Sequence, residues 1–320
     1  MNIHSASTVL TPIAKVGAAH LTCDLDLSTS EVTSLFDLAD QVKRSPQKYA
    51  HKLTGRYLAL LFEKPSLRTR MTFELAIKQL GGDCAFSEFN GQRIGDREPV
   101  KDVARNLERW VHGIVARTYE QKTIDELARW AAVPVINALS DRYHPCQALA
   151  DFLTLRERFG GFEGLKLAFV GDGNNVAHSL MLGAARLGIS MTVATPAGYD
   201  PHPDIVATAQ GLAAASGSAL DFTHDPFEAV EDAHAVYTDV WASMGYETEA
   251  RRRRKAFMPY QVTDRLMSAA RPQAIFMHCL PAHRGEEVTD GVIESAASAV
   301  FDQAENRLHA QKALLLMMLS

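Results

Sequence analysis

Short apolar runs alternate with stretches of helical periodicity along most of this chain, and that alternation leaves few folds open. The runs fall at residues 57–62, 113–116, 133–137, 165–170, 190–195, 219–223, 234–238 and 274–278. Unbroken apolar character over so short a length fits strands buried on both faces. Parallel strands need long crossovers, and the helical stretches between the runs supply them. The pattern predicts an α/β fold built on parallel sheets flanked by helices. At 320 residues the chain has room for two domains. Ser28-Thr-Ser-Glu31 reads as a capping box opening a helix that runs to about Arg44, before Pro46. A long helix is expected from Pro145 to Phe159, ended by Gly160-Gly161. The strand pattern restarts at Leu165-Lys-Leu-Ala-Phe-Val170, so this helix reads as a bridge between two halves. A last helical run, Glu305 to Leu319, closes the chain.

Composition removes several classes of function. Hydrophobic residues are 47% of the chain and charged residues 22%, ordinary for a soluble globular protein. A formal charge of −5 argues against general nucleic-acid binding. The run Arg251-Arg-Arg-Arg-Lys255, with Glu247 and Glu249 upstream, reads as the solvated face of a helix. Cys23, Cys84, Cys146 and Cys279 show no metal-ligand spacing and no CxxC, as free thiols in a reducing compartment would. No signal peptide and no apolar stretch of about 18 residues is visible, so a cytoplasmic protein with no membrane or nucleic-acid partner is expected.

The chemistry concentrates at strand ends. Phe62-Glu-Lys-Pro-Ser66-Leu67-Arg68-Thr69-Arg70 follows the strand 57–62 and enters the helix beginning near Met71. Free backbone N–H groups and the positive end of a helix dipole meet two hydroxyls and two guanidinium groups there. Such a concentration of donors suits a phosphate. A capped helix with two solvated arginines is the plainer alternative. Arg117 ends the run Ile114-Val-Ala-Arg117, where an ordinary surface arginine is the alternative. His144-Pro-Cys-Gln147 opens the bridging helix and sends a His and a Gln toward one side. Val170-Gly-Asp-Gly-Asn174-Asn175-Val176 mimics a dinucleotide fingerprint. However, its third Gly is replaced by Val176, and no acidic residue ends the next strand. Asp239-Val-Trp-Ala-Ser243-Met244-Gly245 reads as a loop after the strand 234–238, or simply a turn. Met277-His-Cys279-Leu280-Pro-Ala-His-Arg284 puts a cysteine at the next strand end, where a small buried hydrophobe is the usual role.

These strings, in this order, resemble the motifs of the aspartate/ornithine carbamoyltransferase family. Ser-x-Arg-Thr-Arg with a following Phe-Glu pair is similar to that family's phosphate-binding motif, with Leu67 where Thr is usual. His-Pro-x-Gln and the closing Phe301-Asp-Gln-Ala-Glu305-Asn306-Arg307 resemble two more of its motifs. Asp-x-Trp-x-Ser-Met-Gly and His-Cys-Leu-Pro resemble the ornithine branch, since the aspartate branch carries Pro in place of Cys279. The resemblance implies two domains, each a parallel β-sheet flanked by helices, linked by two interdomain helices. Residues 1–144 would bind carbamoyl phosphate, with helix 304–320 packing back on them, and 145–303 would bind ornithine. It implies carbamoyl transfer to the δ-amine of L-ornithine, with no cofactor and no metal. Carbamoyl phosphate would meet Ser66, Leu67, Arg68, Thr69, Arg117, His144, Gln147 and Arg307. Arg93, in the loop Gly91-Gln-Arg-Ile-Gly95, would be donated to a neighbouring subunit of a homotrimer. Ornithine would meet Asn175, with Asn174 second, and Asp239, Ser243, Met244, Cys279 and Leu280. Arg117, His144, Cys279 and Asp239 would be catalytic. Related enzymes acting on N-acylated ornithine or putrescine, and a non-catalytic paralogue, remain the alternatives. The Ser243-Met244-Gly245 string favours a free amino acid.

Overall fold

The computed structural model describes residues 13–89, 91–242 and 249–320. The first half runs α1 (Thr29–Arg44), β1 (Tyr57–Phe62), α2 (Leu67–Gln79), β2 (Asp83–Glu88), α3 (Val100–Leu107), β3 (Gly113–Arg117), α4 (Gln121–Trp130) and β4 (Val135–Leu139). The capping box forms at α1: Ser28 accepts from the Glu31 N–H, and the Glu31 carboxylate takes the Ser28 N–H at 2.7 Å. Helix α5 (Pro145–Phe159) then leads to β5 (Lys166–Val170), α6 (Asn175–Leu187), β6 (Ser190–Ala194), α7 (Pro203–Ser216) and β7 (Leu220–Thr223). After these come α8 (Pro226–Val230), β8 (Ala235–Thr238), α9 (Ala250–Phe257), α10 (Asp264–Met267), β9 (Ile275–His278), α11 (Asp290–Glu294) and α12 (Val300–Leu319).

Both sheets are wholly parallel, in the orders β2-β1-β3-β4 and β7-β6-β5-β8-β9. The expected apolar runs become strands because both faces of the central ones are covered; every position of β3 and β8 is buried. Strand β2 carries no such run. It is an edge strand with one neighbour, and its alternating Asp83-Cys-Ala-Phe-Ser-Glu88 is too polar to stand out. Strand β4 starts later than expected: Pro134, with no N–H to give, stays outside the ladder while its carbonyl accepts from Ile114 at 2.8 Å. The arginine run does form a helix, α9, but it is not simply a solvated face. Arg253 is buried and donates through Nη1 to Asp172 Oδ2 at 2.7 Å and to the Trp241 carbonyl at 3.0 Å. A buried carboxylate elsewhere in the fold draws one arginine of the run inward.

Each sheet has a switch point. From β1 the chain crosses to β2 on one side and then to β3 on the other; β5 is flanked in the same way by β6 and β8. Ligands in open α/β sheets bind outside the carboxyl ends of the strands at such points. Helices α5 and α12 lie between the halves. Residues 145–155 of α5 are all buried. Helix α12 packs against α5, α1 and α2 and also meets β9.

Helix α6 approaches α5 closely because Gly183 faces the Phe152 ring, into which a Cβ at that position would run. Gly183→Ala should therefore force the helices apart and destabilise the protein by about 1–3 kcal/mol. Denaturant unfolding checks this; a variant as stable as the parent would show that the contact relaxes freely.

Candidate active site

The carboxyl ends of β1, β3, β5, β8 and β9 converge on a cavity of about 450 Å³. Ser66, Leu67, Arg68, Thr69, Arg117, His144, Gln147, Asn175, Asp239, Cys279, Leu280 and Arg307 all line it. The structure thus brings together nearly every residue singled out by the motifs. Arg93 is not among them: its exposed guanidinium pairs with Glu120 and lies over the Tyr119 ring. Ser243 and Met244 lie outside the described residues.

Ser66 is the N-cap of α2, and its hydroxyl makes no capping bond among the described residues. The first N–H groups of α2 are therefore left without helical or side-chain acceptors, as an anion site requires. The loops behind this turn are held by Glu63, whose buried carboxylate accepts the N–H groups of Ile94 and Tyr119, each at 2.7 Å. Lys64 and His283 also line the cavity. Both stand inside the motif strings, but they are flanked by stronger signals, and the sequence alone assigns them no role.

Three guanidinium groups meet here. Arg117 and Arg307 are buried, and Arg68 lies beside them on the wall. Among the described residues none of the three has a carboxylate partner, and the Nε atoms of Arg117 and Arg307 have no hydrogen-bond acceptor. Burial, then the charge of Arg307, pushes the Arg117 pKa down to about 10. Burial also lowers Arg307 and Arg68. Buried unpaired charge is costly. Its presence marks the place of an anionic ligand.

His144 is fixed by its backbone, whose N–H donates to Ser179 Oγ at 2.8 Å; Ser179 in turn donates to Asp24 at 2.6 Å. Burial, followed by the charges of Arg307, Arg117 and Arg68, holds the imidazole pKa well below its usual value. It is a neutral hydrogen-bonding group, not an imidazolium. Gln147 sits between Arg307, which donates to its Oε1, and Asp151, which accepts from its Nε2 at 2.7 Å. Arg307 also donates to Thr69 Oγ1 at 3.0 Å.

The opposite wall is built on Asp239 and Cys279. The Cys279 thiol donates to Asp239 Oδ1 at 3.0 Å, and Asn174 Nδ2 donates to Oδ2 at 2.8 Å. Burial, reinforced by Asp239, raises the Cys279 pKa well above the usual thiol value, so the group stays protonated. Asn174 is also the N-cap of α6, accepting from Val176 and Ala177. Of the two asparagines, Asn175 is the one on the cavity wall. The turn after β9 is braced by His278, whose Nδ1 accepts the Leu280 N–H at 2.8 Å.

A cluster of guanidinium groups at an uncapped helix N-terminus, an imidazole of lowered pKa and a carboxylate–thiol pair in the same cavity suit an enzyme that transfers a group from an anionic donor to a nucleophile. The chain belongs to the aspartate/ornithine carbamoyltransferase family. Residues 19–157 match the family's carbamoyl-phosphate-binding domain, and residues 163–318 its aspartate/ornithine-binding domain. The ornithine carbamoyltransferase of Thermococcus kodakarensis is 50% identical over 305 residues, which is 95% of this chain and 97% of that protein. The one from Symbiobacterium thermophilum is 55% identical over 268 residues, 84% of this chain and 86% of that protein. The structure of ornithine carbamoyltransferase from Pyrococcus furiosus superposes with a TM-score of 0.91 at 48% identity, covering 97% of this chain and 99% of that one.

The His144 ring should titrate well below the ordinary histidine midpoint, because burial and the neighbouring guanidinium charges lower its pKa. Carbon-13 NMR of histidine-labelled protein reads this directly. A midpoint near 6.5 for that ring would mean the cationic form is accommodated after all.

Proposed function

We infer that this protein transfers the carbamoyl group of carbamoyl phosphate to the δ-amine of L-ornithine, giving L-citrulline and phosphate. The observation that carries the reading is one cavity lined both by three guanidinium groups with no carboxylate partner among the described residues and by the Asp239–Cys279 pair.

We propose residue roles on that arrangement together with the family's motifs. Ser66, Arg68 and Thr69, with the N–H groups of Leu67 and its neighbours, grip the phosphate, and Arg117 is shared with the acyl oxygen. Lone-pair electrons of the neutral δ-amine form the new C–N bond, and the carbonyl electrons move onto oxygen. Arg117, His144 and Thr69 hold that oxyanion. Collapse breaks the C–O bond to phosphate, and the proton released from nitrogen leaves with the phosphate. Gln147 and Arg307 fix the carbamoyl group. Asp239 and Cys279 orient the amine with the Leu280 carbonyl, while Asn175 reads the carboxylate end together with Ser243 and Met244. Residues 1–144, with helix 304–320, serve the donor, and residues 145–303 the acceptor.

We also propose a homotrimer, or a multiple of it, in the cytoplasm. Leu67, Met71 and Leu75 form an exposed apolar stripe along α2 beside the cavity, and Arg93 points away from its own site. Among the described residues no helix is long and apolar enough to cross a membrane.

An amine panel with carbamoyl phosphate tests the reaction. L-ornithine should be carbamoylated, and acetyl-ornithine, succinyl-ornithine and putrescine should not. Equal use of putrescine would remove the assignment of a carboxylate-reading site, and no product with any amine would leave a binding protein. Arg68→Ala should lower kcat/KM for carbamoyl phosphate by about 2–4 kcal/mol of transition-state stabilisation. Steady-state rates within about threefold of the parent would overturn the phosphate-site assignment.

A further inference from the structure

Asp151 lies one helical turn beyond Gln147 on α5, fully buried and off the cavity wall. Three donors converge on its carboxylate: Gln147 Nε2 at 2.7 Å and Gln303 Nε2 at 2.6 Å on Oδ1, and the Tyr237 hydroxyl at 3.0 Å on Oδ2. On its other side, Gln147 receives a bond from Arg307. A carboxylate only accepts and a guanidinium only donates. An amide held between them has one satisfied orientation, nitrogen toward Asp151 and oxygen toward Arg307. If Asp151 takes up a proton, that proton belongs on Oδ2, facing Tyr237, because Oδ1 already receives two N–H bonds. The amide orientation is then the same in either charge state.

We propose that Asp151 is a positioning residue that makes the enzyme selective for a carbamoyl over an acetyl donor by holding the Gln147 oxygen toward the cavity. That oxygen has two lone pairs, and Arg307 uses one. The second faces the ligand and accepts an N–H from the carbamoyl amide. An acetyl donor places a methyl group there and leaves the acceptor unpaired. With the amide reversed, an N–H would meet the ligand's NH2 and the preference would vanish. The inference rests on the carbamoyl-phosphate reading above.

Two stable phosphonates test it. Phosphonoacetamide and acetonylphosphonate differ only in NH2 against CH3, and calorimetry measures each, with inorganic phosphate as a third ligand. The parent should bind the amide at least about tenfold more tightly than the ketone. Asp151→Asn, the isostere of the protonated acid, keeps the Oδ1 acceptor and should keep the preference, whereas Asp151→Leu leaves Gln147 Nε2 without its acceptor and lets that N–H turn to the cavity. Asp151→Leu should bring the two phosphonates within about threefold of each other while leaving inorganic phosphate binding unchanged. Tyr237→Phe keeps the Asp151–Gln147 bond and should keep the preference. An Asp151→Leu protein that retains the full preference overturns the proposal, as does an Asp151→Asn or Tyr237→Phe protein that loses it equally. Failure of the parent to bind phosphonoacetamide would instead overturn the carbamoyl-phosphate reading. If Asp151→Leu does not fold, neutron diffraction of the parent decides: deuterium on the Gln147 nitrogen facing Asp151 upholds the proposal, and the amide oxygen facing Asp151 ends it.

Discussion

Three guanidinium groups in one cavity, two of them buried and none with a carboxylate partner among the described residues, are the constraint around which the rest of this structure is arranged. Arg68, Arg117 and Arg307 repel one another, and burial removes the water that would screen them. Replacing buried charges by apolar groups often stabilises a fold. Their retention here makes sense only against a ligand with the opposite charge. The N-terminus of α2 adds to the same positive field with no side chain of its own to neutralise it.

Such a cluster needs support that does not cancel it. Neutral partners supply it: Arg307 leans on the Thr69 hydroxyl and the Gln147 amide oxygen. A nearby carboxylate, Asp151, stays behind Gln147 with its oxygens taken by amides and a phenol, and burial lifts its pKa to about 7. Helices α5, α12 and α2 supply these residues, so the packing that joins the two halves of the molecule also fixes the anion site.

The fold is legible in the sequence because its central strands are unbroken apolar runs, and the site because its residues follow those runs directly. Three features are not. Strand β2 is an edge whose alternating polar residues carry little signal. Arg253 leaves a basic run for the interior because Asp172, far off in sequence, is buried within reach. Asp151 sits amid apolar neighbours on α5, and its carboxylate is met by Tyr237 and Gln303 from other elements. Each depends on which distant groups meet in space. A local pattern does not encode that.

The acceptor wall faces the opposite hazard. Asp239 lies close enough to Arg117 to influence its charge, and a direct ion pair between them would fill the anion site with the protein's own carboxylate. The geometry prevents this by satisfying Asp239 in place. Its Oδ1 accepts the Cys279 thiol and the N–H of Val240, and its Oδ2 accepts Asn174. Asn174 is locked in turn by capping α6. A thiol is well suited to hold the carboxylate. With its pKa raised by burial and by Asp239 itself, it remains a donor and adds no charge. The carboxylate is thereby kept from pairing with the guanidinium groups that line the same cavity. An amine and an acyl phosphate can meet between them, with developing negative charge directed toward the arginines.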